Sequence, residues 1–328
     1  MTKYVINRCK KYTWILLLVV LLTAISTMAS QYIYKFIGYV IDYGLNFAGT
    51  EYTGEFAFLF SGKFGEYGSL NLVLTLAICI VLCNILSYSC SYLMWYIQMR
   101  GQHLVANGFR TEIYTKSKGK KLPITSGDMM ILLHEDIYQT AYVFINYYPG
   151  IIGNIFSIAF TLMMLSSISP YLLITPIALT PVLIYFSLKY NKATYNENQI
   201  YRGVDGELRD VISRITATEQ MEEFKSFKPV NNKHTSERKK LSFVGNKYST
   251  ILNLIKIMIY IISCTVAGIL AIKGDILIGE YLIFTAFINT IYTQIINLIS
   301  NFISIQSCKP RVEKVKTLMG EYLNEEKA

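Results

Sequence analysis

The chain has 328 residues, of which 52% are hydrophobic and only 16% are charged, with a net charge of +9. Soluble domains are about 25% charged, so this composition indicates a membrane protein and excludes a disordered, collagen-like or disulfide-stapled chain. On a soluble domain the basic excess would favour nucleic acid. On a membrane chain its placement along the sequence matters more, and we expect no nucleic-acid partner.

Six stretches are apolar enough to cross a membrane. A hydrocarbon core about 30 Å thick takes about 20 residues of helix, because the backbone polar groups must be paired within the segment. The stretches are 12–34, 70–97, 142–168, 170–188, 248–272 and 276–305. The sequence therefore predicts an all-α membrane protein with six transmembrane helices.

Basic residues accumulate on one side of these spans. The N-terminus (1–11) carries four, the 98–141 connection six, the 189–247 connection twelve and the C-terminal tail five, whereas the other side carries only Lys35, Lys63 and Lys273. Since Lys and Arg stay in the cytoplasm, we expect both termini there and a bacterial plasma membrane as the location. The N-terminus also resembles a cleavable signal peptide, but its apolar character continues to Val40, which favours a retained helix.

The cysteines predict neither a disulfide nor a metal site. Two fall in the expected cytoplasm and four in the spans, where disulfides are not expected. Three of them share a helical face with no His or carboxylate beside them, which favours packing over metal binding. These three are Cys79, Cys83 and Cys90.

The two long connections, 98–141 and 189–247, predict helical hairpins. Apolar residues recur at helical spacing in each of them. The recurring residues are Val105, Phe109 and Ile113 in the first, and Leu208, Val211, Ile212 and Ile215 in the second. Turn residues stand at 122–127 and 229–232, and Thr216 with Glu219 has the spacing of a capping box that would start a separate helix. The histidines His103, His134 and His234 are expected on the surface of these hairpins.

Five short motifs stand in an order that resembles the membrane domain of an ATP-binding-cassette exporter, from about Tyr12 to Met319. They are the run 37–42 ending in Ile41-Asp42, Phe109-Arg110 with Ile113-Tyr114, Ser126-Gly127-Asp128 with Glu135-Asp136, the segment 273–280, and Pro310-Arg311-Val312. The resemblance implies a six-helix domain over 12–308, followed by a linker helix over 309–328 that leads to a nucleotide-binding domain.

The resemblance also implies partners. The chain would form half of a translocation path with a second copy or a different half, in contact with lipid. Its hairpin tips would dock on an ATPase domain that binds ATP and Mg²⁺. The implied coupling residues are Lys121, Ser126, Gly127, Asp128, Arg214, Ile215, Thr216, Glu219 and Glu222.

No ATPase motif occurs in this sequence. It has no Gly-x-x-x-x-Gly-Lys-Ser/Thr phosphate loop and no Leu-Ser-Gly-Gly signature. By itself the chain is therefore predicted to catalyse nothing, to bind no cofactor and to be no enzyme. The ATPase would be a separate polypeptide, or the chain would be a truncated product.

Polar residues on one helical face mark a candidate substrate path, because lipid-facing positions disfavour them. The sixth span carries Asn289, Thr293, Asn297, Ser300, Ser304 and Ser307; the second carries Asn84, Ser87, Ser91 and Gln98. Helix packing also uses small polar residues and is the alternative for both faces. Lys256 is the basic residue inside the fifth span, where it would either line the path and favour an anionic substrate or snorkel to the interface.

Two other functions are compatible with six spans. One is an ATP-independent secondary transporter or channel, which would be expected to show inverted repeats and a charged relay within the membrane. The other is a membrane sensor or immunity protein with the same fold. For an exporter, the expected cargo is a peptide, a lipid-like compound or a drug.

Overall fold

The computed structural model describes residues 2–45, 69–118, 126–218 and 221–322, and over these ranges the chain is all-α. Its helices are α1 Thr2–Arg8, α2 Thr13–Tyr39, α3 Ser69–Ser117, α4 Ser126–Ile131, α5 Ile137–Tyr142, α6 Tyr148–Ile168, α7 Ile174–Thr218, α8 Met221–Lys273 and α9 Ile278–Thr317. Short 3₁₀ turns cover Lys10–Tyr12 and Pro170–Leu173, and π-helical turns cover Val40–Gly44, Leu132–Asp136, Val143–Tyr147 and Leu318–Tyr322.

The six predicted spans are confirmed as six helical segments long and apolar enough to cross a membrane. These segments indicate a multi-pass membrane protein. The helices run well past the apolar stretches: α3 has 49 residues and α8 has 53. At 1.5 Å per residue, these two helices are about 74 and 80 Å long, against a hydrocarbon core of about 30 Å.

The chain divides into two compact units, one formed by residues 1–178 with 262–328 and the other by residues 179–261. In the first unit, α2 packs against α3, α6 and α9. The second unit consists of most of α7 and most of α8, joined as an antiparallel helical hairpin by the polar contacts described below.

A hydrophobic core lies at one end of the first unit. It brings together α1, the last turns of α3, the α4–α5 segment and the end of α9. The predicted apolar residues Val105, Phe109 and Ile113 are all buried in it, which confirms the amphipathic pattern of the first hairpin. Val5 and Val315 belong to the same core, so the two ends of the described chain meet beside this hairpin.

The turn of the second hairpin was predicted at the wrong place. Helix α8 begins at Met221 and passes through Pro229 without a break, so the chain does not turn at 229–232. Thr216 does not cap a new helix either: its Oγ1 donates to the carbonyl oxygens of Ile212, at 2.7 Å, and Ser213, at 3.1 Å, within α7. A proline removes one backbone hydrogen bond from a helix, and the remaining bonds of a 53-residue helix retain the helix around it.

The buried face of the second hairpin also differs from the prediction at one position. Val211 is buried as expected, but Ile212 is 45% exposed. Val204 occupies the buried face instead, one helical heptad before Val211. The apolar stripe of α7 is therefore narrower than the sequence pattern predicted.

Candidate functional site

The polar face of the sixth span is exposed on α9. Asn289, Asn297 and Ser300 are exposed, and Thr293 is half-buried, with its hydroxyl donating to the Asn289 carbonyl at 2.7 Å. The opposite face of the same helix is buried against the unit. It is formed by Phe284, Phe287, Ile288, Ile291, Tyr292 and Ile295. Amide and hydroxyl groups on an outward face of a membrane helix require a polar environment, which this face obtains only from a cavity or a partner.

A buried hydrogen bond joins the apolar face of α9 to α8. The hydroxyl groups of Tyr292 and Ser263 lie 3.1 Å apart, and both residues are fully buried. Ser263 belongs to α8, so the bond ties the apolar side of α9 to a neighbouring helix. The polar face is thereby held outward. Neither residue was identified from the sequence, because a lone Ser in an apolar run carries no periodic signal.

Two polar residues of the second span, Ser87 and Ser91, contact the neighbouring helix α2, whereas Asn84 bonds within its own helix. Ser26 of α2 shares hydrogen bonds of 3.1 Å with Ser87 and 2.9 Å with Ser91, and the Nδ2 of Asn84 donates to the Ile80 carbonyl at 2.9 Å. Small hydroxyl groups bridging two membrane helices are typical of helix packing. These contacts favour the packing interpretation for Ser87, while its role in a path stays a prediction.

Lys256 lies on α8 in the second unit and is half-buried. It stands two helical turns beyond Tyr248, where the apolar part of α8 begins. Its predicted place on a path stays a prediction.

The residues predicted to couple the two hairpin tips to an ATPase are only partly described by the structure. Lys121 and Glu219 lie outside the described residues, as do the side chains of 126–128 and Glu222. At the end of α7, Arg214 and Thr216 are exposed and Ile215 is half-buried. Helix α7 ends at Thr218 and α8 begins at Met221, so both helix ends lie inside the range 214–227 that was predicted to form the second tip.

An ion pair joins the first hairpin to the end of α9. The Nη2 atom of Arg311 lies 2.8 Å from Oε1 of Glu135, and its Nε lies 3.9 Å from Oδ1 of the buried Asp136. Both carboxylates belong to the π-helical turn that follows α4. Next to them, the Nε of Arg110 donates to the Leu133 carbonyl at 2.8 Å. In the region predicted as a linker, α9 continues through Pro310 to Thr317. The Arg311 ion pairs connect this part of α9 to the first hairpin.

At the far end of α9, two of the quoted motifs meet. The backbone N–H of Gly279 donates to Oδ1 of Asp42 at 2.6 Å, and the N–H of Glu280 also donates to this carboxylate. The first N–H groups of a helix have no partner in their own helix, and a carboxylate there also complements the helix dipole. Asp42, which is 1% exposed, therefore caps α9 from the π-helical turn at the end of α2.

The same crossing brings two glycines into contact. A Cβ atom at Gly279 would collide with the backbone carbonyl of Gly38 and with the Asp42 carboxylate. A Cβ at Gly38 would lie 2.9 Å from the Gly279 carbonyl oxygen. The two helices therefore cross backbone to backbone. The sequence motifs 37–42 and 273–280 could be recognised separately, but nothing in either one predicted that they touch.

The second hairpin is held by a ladder of polar contacts between α7 and α8. His234 Nε2 lies 3.1 Å from the Tyr201 hydroxyl and 3.2 Å from Asp205 Oδ1. Two further ion pairs join α8 to α7: Lys233 with Glu207 at 2.8 Å and Lys240 with Glu197 at 3.2 Å. The prediction that His234 is a surface residue is wrong: its side chain is 14% exposed and bridges the two helices.

Comparison with known proteins adds no assignment. No protein-family model matches the sequence, and no curated protein is significantly similar to it. The residues and contacts described above are therefore the basis on which a function can be argued.

Proposed function

We propose that the chain is the membrane-spanning permease subunit of an ATP-driven exporter of the ATP-binding-cassette type, forming half of a translocation path. The observation that carries the proposal is the continuity of α9. This 40-residue helix presents Asn289, Asn297 and Ser300 on an outward face and carries Arg311, paired with the first hairpin, near its other end. One rigid element thus links a polar membrane face to a part of the chain outside the apolar stretch.

In this proposal the chain forms part of the path and transmits conformational changes from a partner ATPase to it. The ATP and Mg²⁺ belong to a partner ATPase, since the residues of this chain include no phosphate loop. The partner binds at the hairpin tips, in the regions 120–128 and 214–227. Its nucleotide state shifts the balance between two arrangements of the helices, which requires stiff elements between the tips and the path. The length of α3, α7 and α8 supplies that stiffness.

The polar face of α9 lines the path together with a second half, which is either a second copy or a different chain. An exposed amide stripe flanked by lipid-facing apolar residues is costly, so the face must be covered or wetted. The proposed cargo is a peptide, a lipid-like compound or a drug, and the proposed location is a bacterial plasma membrane with both termini cytoplasmic.

Cysteine accessibility tests the path directly. In a variant whose six native cysteines are replaced, Asn297→Cys and Ser300→Cys should react with a water-soluble maleimide in intact membranes. Phe302→Cys is the matched control, because Phe302 is an apolar residue that is 50% exposed on the same helix, and it should stay unlabelled. Protection of all three positions would contradict a water-filled path along α9.

Co-purification tests the class of transporter. The tagged chain, extracted in mild detergent from its native membrane, should bring down a protein that binds ATP through a phosphate loop. An ATP-independent carrier would share the accessible path but would bring down no such ATPase, and a sensor would bind its ligand without ATP turnover.

A further inference from the structure

A cavity of about 200 Å³ lies between α7 and α8 within the second unit. Its walls are apolar or aromatic apart from one ammonium group. The lining residues are Phe186, Lys189, Tyr190, Tyr248, Ile251, Leu252 and Ile255. Leu252 is buried, whereas Phe186 and Ile251 are 37% and 39% exposed, so the cavity is lined by both buried and exposed apolar side chains.

The size and lining of the cavity suit hydrocarbon. An apolar cavity of about 150 Å³ inside a protein stays dry and binds benzene. The cavity between α7 and α8 is larger, and its lining is apolar apart from the Lys189 ammonium and the hydroxyl groups of Tyr190 and Tyr248. The rings of Tyr190 and Tyr248, whose centroids lie 5.8 Å apart, connect the two helices at the same level.

The cavity stands where both helices change from apolar to charged sequence. On α7 the apolar stretch ends at Leu188 and Lys189 follows; on α8 the charged stretch ends at Lys247 and Tyr248 follows. Tyrosine and lysine are the residues that collect at the level of lipid headgroups. The cavity therefore has its apolar part on the membrane side of this boundary and Lys189 at the boundary itself.

The charge around the cavity is of one sign. Residues 174–196 and 238–261 contain no Asp or Glu, but they contain seven basic residues. These are Lys189, Lys192, Arg238, Lys239, Lys240, Lys247 and Lys256. The carboxylates that flank the two stretches, Glu197 and Glu237, are both within ion-pair distance of Lys240. A ligand at the mouth of the cavity thus meets a positive field.

We propose that this cavity is a binding site for an anionic phospholipid, with part of an acyl chain between α7 and α8 and the phosphate paired with the Lys189 ammonium. The apolar walls accept any phospholipid chain, so the preference for net negative charge comes from the basic residues at the boundary. The site is independent of the exporter function, because it depends only on the hairpin and its entry into a membrane.

Native mass spectrometry of the purified full-length chain tests the proposal. The protein is exchanged into detergent that contains equal amounts of phosphatidylglycerol and phosphatidylcholine with the same acyl chains. The wild-type chain should retain one phosphatidylglycerol molecule in preference to phosphatidylcholine. Equal retention of the two lipids would overturn the proposal.

Two variants separate the headgroup contact from the cavity. Lys189→Gln should lower the preference for phosphatidylglycerol about fivefold, the contribution expected of one basic residue at an anionic surface. Lys239→Gln is the matched control: this exposed cation stands eight residues, about 12 Å, before Lys247 on α8 and does not line the cavity, so it should change the preference much less than Lys189→Gln does. Equal losses in both variants, or no loss in Lys189→Gln, would show a diffuse field and overturn the site.

The third variant, Ile255→Trp, fills the cavity and should abolish retention of both lipids. Retention at the wild-type level by a variant that elutes as a folded monodisperse species would overturn the placement of the acyl chain. Because Lys189 is exposed, its variant keeps the proposal testable if Ile255→Trp does not fold. The lipid-retention results do not affect the cysteine labelling of α9 or the co-purification of an ATPase. The lipid site can therefore be disproved without disproving the proposed exporter function, and the reverse.

Discussion

Substituting Gly279 by alanine should destabilise the protein, because the new methyl group meets backbone atoms. Its Cβ would collide with the Gly38 carbonyl and with Asp42, and neither group can move away as the end of a long side chain could. Overpacking a core costs about 1–3 kcal/mol. Because the Gly38 backbone cannot move away, we expect Gly279→Ala to lie at the upper end of this range. Alanine regains up to about 1 kcal/mol of helix propensity, so the expected net loss is about 2 kcal/mol.

The matched control, Gly206→Ala, is expected to change the free energy of unfolding in the opposite direction. Gly206 lies inside α7, and a Cβ there would have nothing within 4 Å. Gly206→Ala should therefore stabilise the protein by about 0.5–1 kcal/mol, from helix propensity alone. Both free energies of unfolding can be measured by SDS titration in mixed micelles, followed by far-UV circular dichroism.

The double substitution at the crossing sharpens the test. Gly38→Ala should also destabilise, since its Cβ would lie 2.9 Å from the Gly279 carbonyl oxygen. Once one methyl group has pushed α2 and α9 apart, the second finds space, so the double variant should lose less than the sum of the two single losses. A Gly279→Ala protein as stable as the wild type, beside a stabilised Gly206→Ala, would refute the backbone-to-backbone crossing.

Three further predictions concern Arg311, Cys9 and Glu222. Arg311→Gln should destabilise the protein by about 1–3 kcal/mol in the same SDS titration, because it removes the charged partner of Glu135 and the contact with the buried Asp136, whereas Lys309→Gln, at an exposed ion pair, should change the stability by less than about 0.5 kcal/mol. Burial raises the pKa of the Cys9 thiol to about 12, so the native thiol stays protonated while the unfolded one ionises near its ordinary value of 9.0. The free energy of unfolding should therefore fall above pH 9, by about 1.4 kcal/mol per pH unit, until the native thiol also ionises. Finally, Glu222→Lys should uncouple ATP hydrolysis from transport in the reconstituted complex without unfolding the chain.

Each of these has a contrary result. Equal effects of Arg311→Gln and Lys309→Gln would place the ion pair in solvent. A Cys9→Ala chain with the same alkaline loss of stability as the wild type, or rapid maleimide labelling of native Cys9 at pH 8, would contradict the buried thiol. Wild-type coupling in Glu222→Lys and in Glu219→Lys would count against the second tip as the ATPase contact.

The spans could be predicted from the sequence because hydropathy acts over about 20 residues and needs no knowledge of neighbours. The buried stripe of the first hairpin was predictable for a similar reason, since Phe109 and Ile113 repeat at the period of the helix. The second turn was not. Pro229 and its neighbours have turn chemistry, but a local signal of this kind is overridden when a long helix keeps its remaining hydrogen bonds.

The contacts between distant segments were out of reach of any local pattern. Asp42 and Gly279 are 237 positions apart, and Glu135 and Arg311 are 176 apart. Each residue was noticed within its own motif, but a sequence without an alignment carries no information on which motifs pair. The exposed side of α9 was predictable as a polar stripe, whereas the contact of its opposite face with α8, through Tyr292 and Ser263, was not.

The close contact of Gly38 with Gly279 makes this end of α9 the point about which the helix would tilt. Between Gly279 and Arg311 the helix rises about 48 Å, at 1.5 Å per residue. Tilting this arm by about 5° about the crossing displaces the arginine end by about 4 Å, while the backbone at the crossing hardly moves. If the hairpin end of α9 tilts in this way, the displacement along the face that bears Asn289 and Asn297 would grow with distance from the crossing, from almost none beside Asp42 to its largest value near Arg311.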